Sequence, residues 1–85
     1  MSAGVTDVIR GVLAEHGRLP VAADALGDED DLYRAGMTSH ASISVMLGLE
    51  AALDVEFPDR MLTREVFASI ASIRNALDEL AATVG

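Results

Sequence analysis

Ser39 is the side chain in this sequence with the clearest opening to covalent chemistry. It follows Gly36 by three residues and stands at the predicted start of an apolar helix. A helix begins with backbone N–H groups that lack partners within the helix, and its positive dipole end favours a negative charge. A phosphate esterified to the Ser39 hydroxyl would therefore lie in a favourable place. An unmodified helix-capping serine fits the same position, because serine is a preferred N-cap residue.

Other residue types that perform chemistry are scarce. The chain has no cysteine, so it offers no protein thiol and no disulfide. Its two histidines, His16 and His40, show no HExxH or comparable ligand spacing, so we predict no metal site, and a small metal-dependent hydrolase has little support. No set of nucleophile, base and orienting residue is visible. We therefore predict no catalytic residues and a protein that is not an enzyme.

Length and charge narrow the classes of partner. The 85 residues suffice for a single domain with a thin core, which we place at 1–85 with an ordered part of about 5–82. The net charge of −8 argues against nucleic acid, which requires Lys and Arg, and favours basic patches on other proteins, although solubility alone also explains it. The start MSAGVTDVIR does not resemble a signal peptide, and no apolar run approaches the roughly 20 residues of a membrane span. We expect a cytoplasmic monomer without membrane contact.

Helical periodicity runs through most of the chain. Apolar residues spaced three and four apart predict a first helix over about 4–15, which Gly17 and Pro20 end. The long connection over 16–37 contains four consecutive acids at 28–31, which should repel one another, a possible helical turn at 22–26, and Gly36, which we expect at a positive φ. The side chains expected to hold this connection to the core are Leu19, Val21, Leu26, Leu32 and Tyr33.

The second half predicts three more helices. One runs over 39–53, with Val45, Met46, Leu49 and Leu53 facing inward. Ile43 and Leu47 lie on an adjacent face, either as a widened core stripe or as a semi-exposed strip that partners contact. Asp59 can cap a short helix through about residue 66 that turns Met61, Leu62 and Val66 inward. Ser69 can cap the last helix, whose apolar stripe is Ile70, Ile73, Leu77, Leu80 and Val84. The predicted fold is an all-α bundle of three main helices, a short third helix and a long first loop.

The segment DLYRAGMTSH, residues 31–40, resembles the attachment motif of acyl and peptidyl carrier proteins. That motif is an acid, a hydrophobic pair, a glycine, an apolar residue, usually Asp or His, and then Ser-Leu. The matching positions are Leu32, Tyr33, Gly36, Met37 and Ser39. The run VMLGLEAALDVEFPD downstream is similar as well, so the resemblance covers about 5–82. It implies an acyl-carrier-protein-like four-helix bundle with 4′-phosphopantetheine, taken from coenzyme A, on Ser39.

Two residues beside the serine depart from the family pattern. Thr38 replaces the usual Asp, which often helps recognition by the phosphopantetheinyl transferase. His40 replaces a Leu or Ile that contacts many partners, and it is either a solvated first-turn side chain or a partner-selective contact. The resemblance assigns docking to acids on and after the second helix, and apolar or shape contacts to residues around the serine. The predicted partner-binding residues are Met37, Thr38, His40, Leu47, Glu50, Asp54, Glu56 and Asp59.

The Thr-Ser-His variant, followed by DVEFPDRML, is most similar to a small bacterial group of stand-alone aminoacyl carriers. The resemblance implies that a separate ATP-dependent ligase, similar to a truncated aminoacyl-tRNA synthetase, loads an amino acid as a thioester for a downstream acceptor enzyme. A fatty-acyl or polyketide carrier is the alternative within the family. An unmodified acidic helical interaction module is the alternative from another class.

Overall fold

The protein is a bundle of three main helices. The computed structural model describes residues 4–20, 22 and 25–84, with side chains as far as residue 81. Its helices are α1 (Val5–His16), the one-turn α2 (Leu32–Ala35), α3 (Ser39–Leu53) and α4 (Ile70–Val84), with a 3₁₀ helix at Asp59–Met61. No strand occurs in these ranges, so the predicted all-α fold is confirmed. Val21 and the side chain of Val84 lie outside the described residues.

The core forms where α1 packs against both α3 and α4. Gly48 of α3 lies directly against α1. A Cβ atom there would stand 2.8 Å from His16 Cδ2 and 2.9 Å from Val12 Cγ1, so the helices pack this closely only without a side chain. The largest fully buried side chains come from the predicted stripes and from Leu32 in α2. They are Ile9, Leu13, Leu32, Val45, Leu49, Ile70 and Ile73.

A charged cluster fastens the long first connection to the bundle. Asp28 receives Arg10 Nη2 at 2.7 Å and Arg74 Nη1 at 3.1 Å, which joins the connection to α1 and α4. The second amino group of Arg10 donates to the Leu26 carbonyl at 2.7 Å. The hydrogen bond from Arg74, together with the charges of both arginines, holds the pKa of the Asp28 carboxyl below its ordinary value. The acids of 28–31 therefore include one that is paired with two cations.

The side chain of Asp31 caps the helix α2. The Asp31 carboxylate accepts hydrogen bonds from the backbone N–H of Tyr33 at 2.9 Å and of Arg34 at 3.2 Å. Such a cap satisfies two N–H groups that a helix start leaves without partners. Leu32 N–H donates to the Ala68 carbonyl at 2.7 Å, so the same turn is tied to the segment before α4. The earlier possible turn at 22–26 is represented by a 3.0 Å bond from Ala25 N–H to the Ala22 carbonyl.

The short helix before α4 is shorter than predicted. It ends at Met61, and Leu62 leaves helical geometry at φ −86°, ψ 61°. Asp59 makes no side-chain cap bond, because Pro58 occupies the N-cap position. Leu62 consequently turns outward and is 45% exposed, so its predicted inward position is wrong, whereas Met61 is buried. The predicted cap of the last helix is confirmed by a 3.1 Å bond from the N–H of Ser72 to Ser69 Oγ.

The described part of the chain contains no helix that is both long and apolar enough to cross a membrane.

Candidate functional site

Ser39 is the first residue of α3, and its hydroxyl is free for chemistry. Thr38, not Ser39, is the N-cap residue: its Oγ1 accepts a hydrogen bond from Ala41 N–H at 3.0 Å. Ser39 is exposed, and within the described ranges its hydroxyl makes no hydrogen bond. The capping role considered for Ser39 therefore belongs to its neighbour, and the Ser39 oxygen is left as an accessible nucleophile.

The start of α3 suits an anion on this oxygen. In the residues described, the backbone N–H groups of Ser39 and His40 have no acceptor. The first turn carries no acidic side chain. Unpaired N–H groups and the positive end of a 15-residue helix both favour negative charge. A phosphate ester at Ser39 would therefore meet hydrogen-bond donors and no local repulsion.

Gly36 brings the chain into α3 through a turn that other residues cannot adopt easily. Its φ is +124°, which confirms the predicted positive value. A Cβ atom at this position would also lie 2.8 Å from Pro20 Cδ. Gly36 N–H donates to the Tyr33 carbonyl and Met37 N–H to the Leu32 carbonyl, at 3.1 and 3.0 Å, so the turn closes α2 directly before Ser39.

A groove of about 460 Å³ opens beside Ser39, between α3 and the segment over 62–67. This volume falls within the range of about 300–1,000 Å³ that small-molecule sites occupy. The lining is mostly apolar and includes the hydroxyl residues Ser39, Ser42 and Thr63. The residues that line it are Tyr33, Ser39, Ser42, Ile43, Met46, Leu62, Thr63, Arg64 and Phe67.

Arg64 is the charged member of this lining. Its guanidinium lies over the Tyr33 ring, 4.0 Å from the ring centroid. Sequence reasoning did not find Arg64 as a site residue, because it is 25 positions from Ser39 and lies outside the motif that the attachment family shares. It also matched Tyr33 to the attachment motif without predicting that its ring forms a wall of the groove. Only the folded chain brings α2, α3 and the 62–67 segment together around Ser39.

The outer face of α3 presents apolar side chains. Ile43 is 54% exposed and Leu47 is 55% exposed, so this pair is a semi-exposed strip and not a widened core stripe, and its contact with partners stays a prediction. Val45 and Leu49 are fully buried on the opposite side, while Met46 and Leu53 lie half-buried against the core. We call the strip formed by Ile43, Leu47 and the exposed Leu62 the apolar face.

The four predicted docking acids occupy different environments. Asp54, Glu56 and Asp59 are exposed. Asp54 ends α3 in the left-handed conformation at φ 54°, which Asp and Asn tolerate best among non-glycine residues. Glu50 is half-buried, and its Oε2 accepts Phe57 N–H at 2.9 Å, so this carboxylate holds the loop after α3. Its charge is thus engaged within the protein before any partner arrives.

The residues around Ser39 also divide by exposure. Met37 is only 3% exposed and lies in the core, so its side chain offers little surface for the predicted contact with partners. Thr38 and His40 are exposed beside Ser39. Neither His40 nor His16 belongs to a group of three or more His, Cys, Asp or Glu placed to hold a metal, as far as the described residues extend.

Comparison with known proteins agrees with this geometry. Residues 7–79 match the model of the family described as "Phosphopantetheine attachment site". The chain is 51% identical over 69 residues to an aminoacyl carrier protein of Agrobacterium fabrum, covering 81% of this chain and 83% of that protein.

Solved structures give the same relationship. This chain is similar to a chain in two crystal structures of an engineered Bradyrhizobium japonicum glycine:carrier protein ligase. Both structures contain a carrier protein from Agrobacterium tumefaciens, one with AMP and the other with ATP. With AMP, the identity is 47% and the TM-score 0.85, covering 87% of this chain and 99% of the other. With ATP, the identity is 46% and the TM-score 0.87, covering 89% of this chain and 99% of the other. A solution structure of an Agrobacterium tumefaciens protein is 44% identical with a TM-score of 0.77, covering 94% and 96%. The chain therefore belongs to the phosphopantetheine-attachment family, the non-catalytic carrier domains that hold 4′-phosphopantetheine through a covalent bond.

Proposed function

We propose that this chain is an aminoacyl carrier protein and that Ser39 is its attachment residue. The observation that carries the proposal is the Ser39 hydroxyl: it is exposed, free of hydrogen bonds in the described structure, and placed at the first position of α3. The 51% identity to an aminoacyl carrier protein supports the choice of an amino acid over a fatty-acyl or polyketide cargo. The chain acts as a single carrier domain.

The residues around Ser39 fit a phosphodiester. The free N–H groups of Ser39 and His40 can donate to its oxygens, and the acid-free first turn adds no repulsion. No side chain among the described residues accepts a hydrogen bond from the Ser39 hydroxyl. The proposal therefore assigns the base that removes its proton to the phosphopantetheinyl transferase. When attached, the prosthetic group supplies the thiol that this cysteine-free chain lacks, and that thiol holds the amino acid as a thioester.

The carrier then contributes recognition and delivery. Tethering the cargo to a small body raises its effective concentration at each enzyme that binds the carrier. We propose that the apolar face supplies the contact area, because its large side chains are already exposed in the free protein. The acids Asp54, Glu56 and Asp59 would steer the carrier toward basic surfaces of the transferase, the loading ligase and the acceptor enzyme. Thr38 and His40 flank the attachment point, where partners must approach.

Intact mass spectrometry tests the attachment residue. Incubation with coenzyme A and a broad-specificity phosphopantetheinyl transferase should add one phosphopantetheine to the wild type and none to Ser39→Ala. Ser44→Ala, a matched change in the same helix at a half-buried position, should be modified like the wild type. Modification of Ser39→Ala would remove Ser39 from the proposal. An unmodified wild type would favour the acidic interaction module instead.

A loading competition tests the cargo. Holo-protein would be mixed with ATP, a glycine:carrier protein ligase of the Bradyrhizobium japonicum kind, and glycine, alanine and palmitate together, with a different one of the three labelled in each reaction. Host-cell extract would serve as a second source of ligase. We expect an amino acid to label the protein in preference to palmitate, and the label to be released by hydroxylamine as a thioester. Preferential palmitate labelling from the extract would leave the carrier function and overturn the aminoacyl assignment.

A further inference from the structure

The groove beside Ser39 holds a cation whose charge is not neutralised within the described structure. Arg10 and Arg74 pair with Asp28, and Arg60 pairs with Glu79 at 3.0 Å. Arg64, like Arg18 and Arg34, forms no side-chain ion pair or hydrogen bond with any described residue, although the chain carries a net charge of −8; of these three, Arg64 is the one that lines the groove. Its contact is with the face of the Tyr33 ring.

That contact positions the guanidinium and leaves its donors available. A cation over an aromatic face is held by the ring quadrupole and uses no N–H group for a hydrogen bond. The planar guanidinium of Arg64 therefore remains free to bind the oxygens of a phosphate. Phosphate and carboxylate are the two anions whose geometry matches the arginine donors. Arg64 is the one charged residue of the described groove lining, which also includes Ser39.

We propose that Arg64 is a positioning residue for the prosthetic arm: it pairs with the phosphodiester on Ser39 and directs the arm over the groove toward the 62–67 segment. This inference rests on the proposed attachment at Ser39. The start of α3 and Arg64 would then both supply donors to the phosphodiester, the first through backbone N–H groups and the second through its guanidinium. Tyr33 takes part by holding the guanidinium at the wall of the groove.

The test uses ³¹P NMR of the intact holo-protein, which reads the phosphodiester directly. The variants are Arg64→Gln and, as a matched control, Arg34→Gln, which removes the same charge from an exposed arginine next to Tyr33 that does not line the groove. We expect Arg64→Gln to shift the ³¹P resonance and Arg34→Gln to leave it at the wild-type position. About 1 M salt should move the wild-type resonance toward that of Arg64→Gln, because the Debye length falls to about 3 Å.

Tyr33 provides a second readout, because it is the single tyrosine of a chain without tryptophan. Conversion from apo to holo should change its fluorescence in the wild type, and this change should be lost in Arg64→Gln. Arg64→Lys keeps the cation without the planar fork and should retain part of the salt-dependent ³¹P shift. Circular dichroism establishes that each variant is folded; Arg64 is exposed, so no core contact is removed.

The outcomes separate this inference from the proposed function. Holo-protein of the expected mass whose ³¹P resonance and salt response are identical in wild type and Arg64→Gln would overturn the role of Arg64 and leave Ser39 as the attachment residue. A mass that does not change on incubation with coenzyme A and transferase would overturn both.

Discussion

Thr38 and Ser39 are adjacent hydroxyl residues with different tasks, and alanine substitution of each should separate them. Thr38→Ala removes the oxygen that accepts Ala41 N–H at 3.0 Å, and loss of such a cap costs about 1 kcal/mol, within a range of about 0.5–2. Ser39→Ala removes an exposed hydroxyl that has no hydrogen bond among the described residues, and a surface change of that kind stays within about 0.5 kcal/mol. The unmodified protein should therefore lose stability in the first variant and not in the second.

Urea unfolding followed by far-UV circular dichroism measures the difference. With a slope of about 1–3 kcal/mol per molar urea, the loss of about 1 kcal/mol lowers the midpoint by about 0.3–1 M. In a thermal scan the same loss corresponds to about 4–8 °C for a domain of this size. Thr38→Ser serves as the control, since it keeps a capping oxygen, and it should unfold close to the wild type.

Phosphopantetheine attachment should be affected by the variant that keeps its stability, and not by the variant that loses it. Ser39→Ala should abolish phosphopantetheine attachment, whereas Thr38→Ala should still accept it, because the nucleophilic oxygen remains. If Ser39→Ala proved more destabilising than Thr38→Ala, the serine would be the cap, and the reasoning that its hydroxyl is free for modification would be refuted. Equal losses in Thr38→Ser and Thr38→Ala would refute the capping argument alone.

Three further predictions follow from single contacts. The pKa of Asp28 is lowered in the folded protein, so the stabilisation from its charged form is present above the ordinary Asp pKa of about 3.9 and is lost as the pH falls through the folded value. Acid below about pH 4 should therefore lower the melting temperature of the wild type more steeply than that of Asp28→Asn. Gly36→Ala should destabilise by more than about 1 kcal/mol in urea unfolding, whereas Gly11→Ala, whose Cβ meets nothing within 4 Å on α1, should stabilise by about 0.5–1 kcal/mol. In ligase assays, Asp54→Asn should slow loading only at low salt, and Leu47→Ser should weaken it at every salt concentration.

The parts of the fold that depend on local pattern were predictable. The apolar stripes define α1, α3 and α4, because each buries one face at the helical period. Gly36 was predictable for a different reason: glycine adopts positive φ at no steric cost, and the turn needs that conformation. Ser69 followed the same logic as a preferred cap residue, and its oxygen does accept the Ser72 N–H.

The structure differs from the sequence predictions where contacts between distant residues determine the local structure. The acids of 28–31 were expected to repel one another. Asp28 instead pairs with Arg10 and Arg74, which are separated from it by 18 and 46 positions in the sequence. Asp30 accepts a hydrogen bond from Gly27 N–H, and Asp31 caps α2. A single sequence does not reveal such distant partners. The short helix was also predicted to continue past Met61 to about residue 66, although the chain leaves helical geometry at Leu62. The family resemblance predicted that Met37 contacts partners, whereas in the structure its side chain is buried in the core.

The exposure of the apolar face is costly for a chain this small, and that cost argues for its use in binding. Burying a Leu or Ile side chain is worth about 1.5–3 kcal/mol, and a domain of 85 residues has a thin core. Single exposed leucines are common on protein surfaces. Here, however, Ile43 and Leu62 line the same groove as Ser39, and Leu47 lies one turn further along α3 from Ile43. A partner that covers these side chains would thereby lie against Ser39, the proposed attachment residue, because α3 and the 62–67 segment form the same groove.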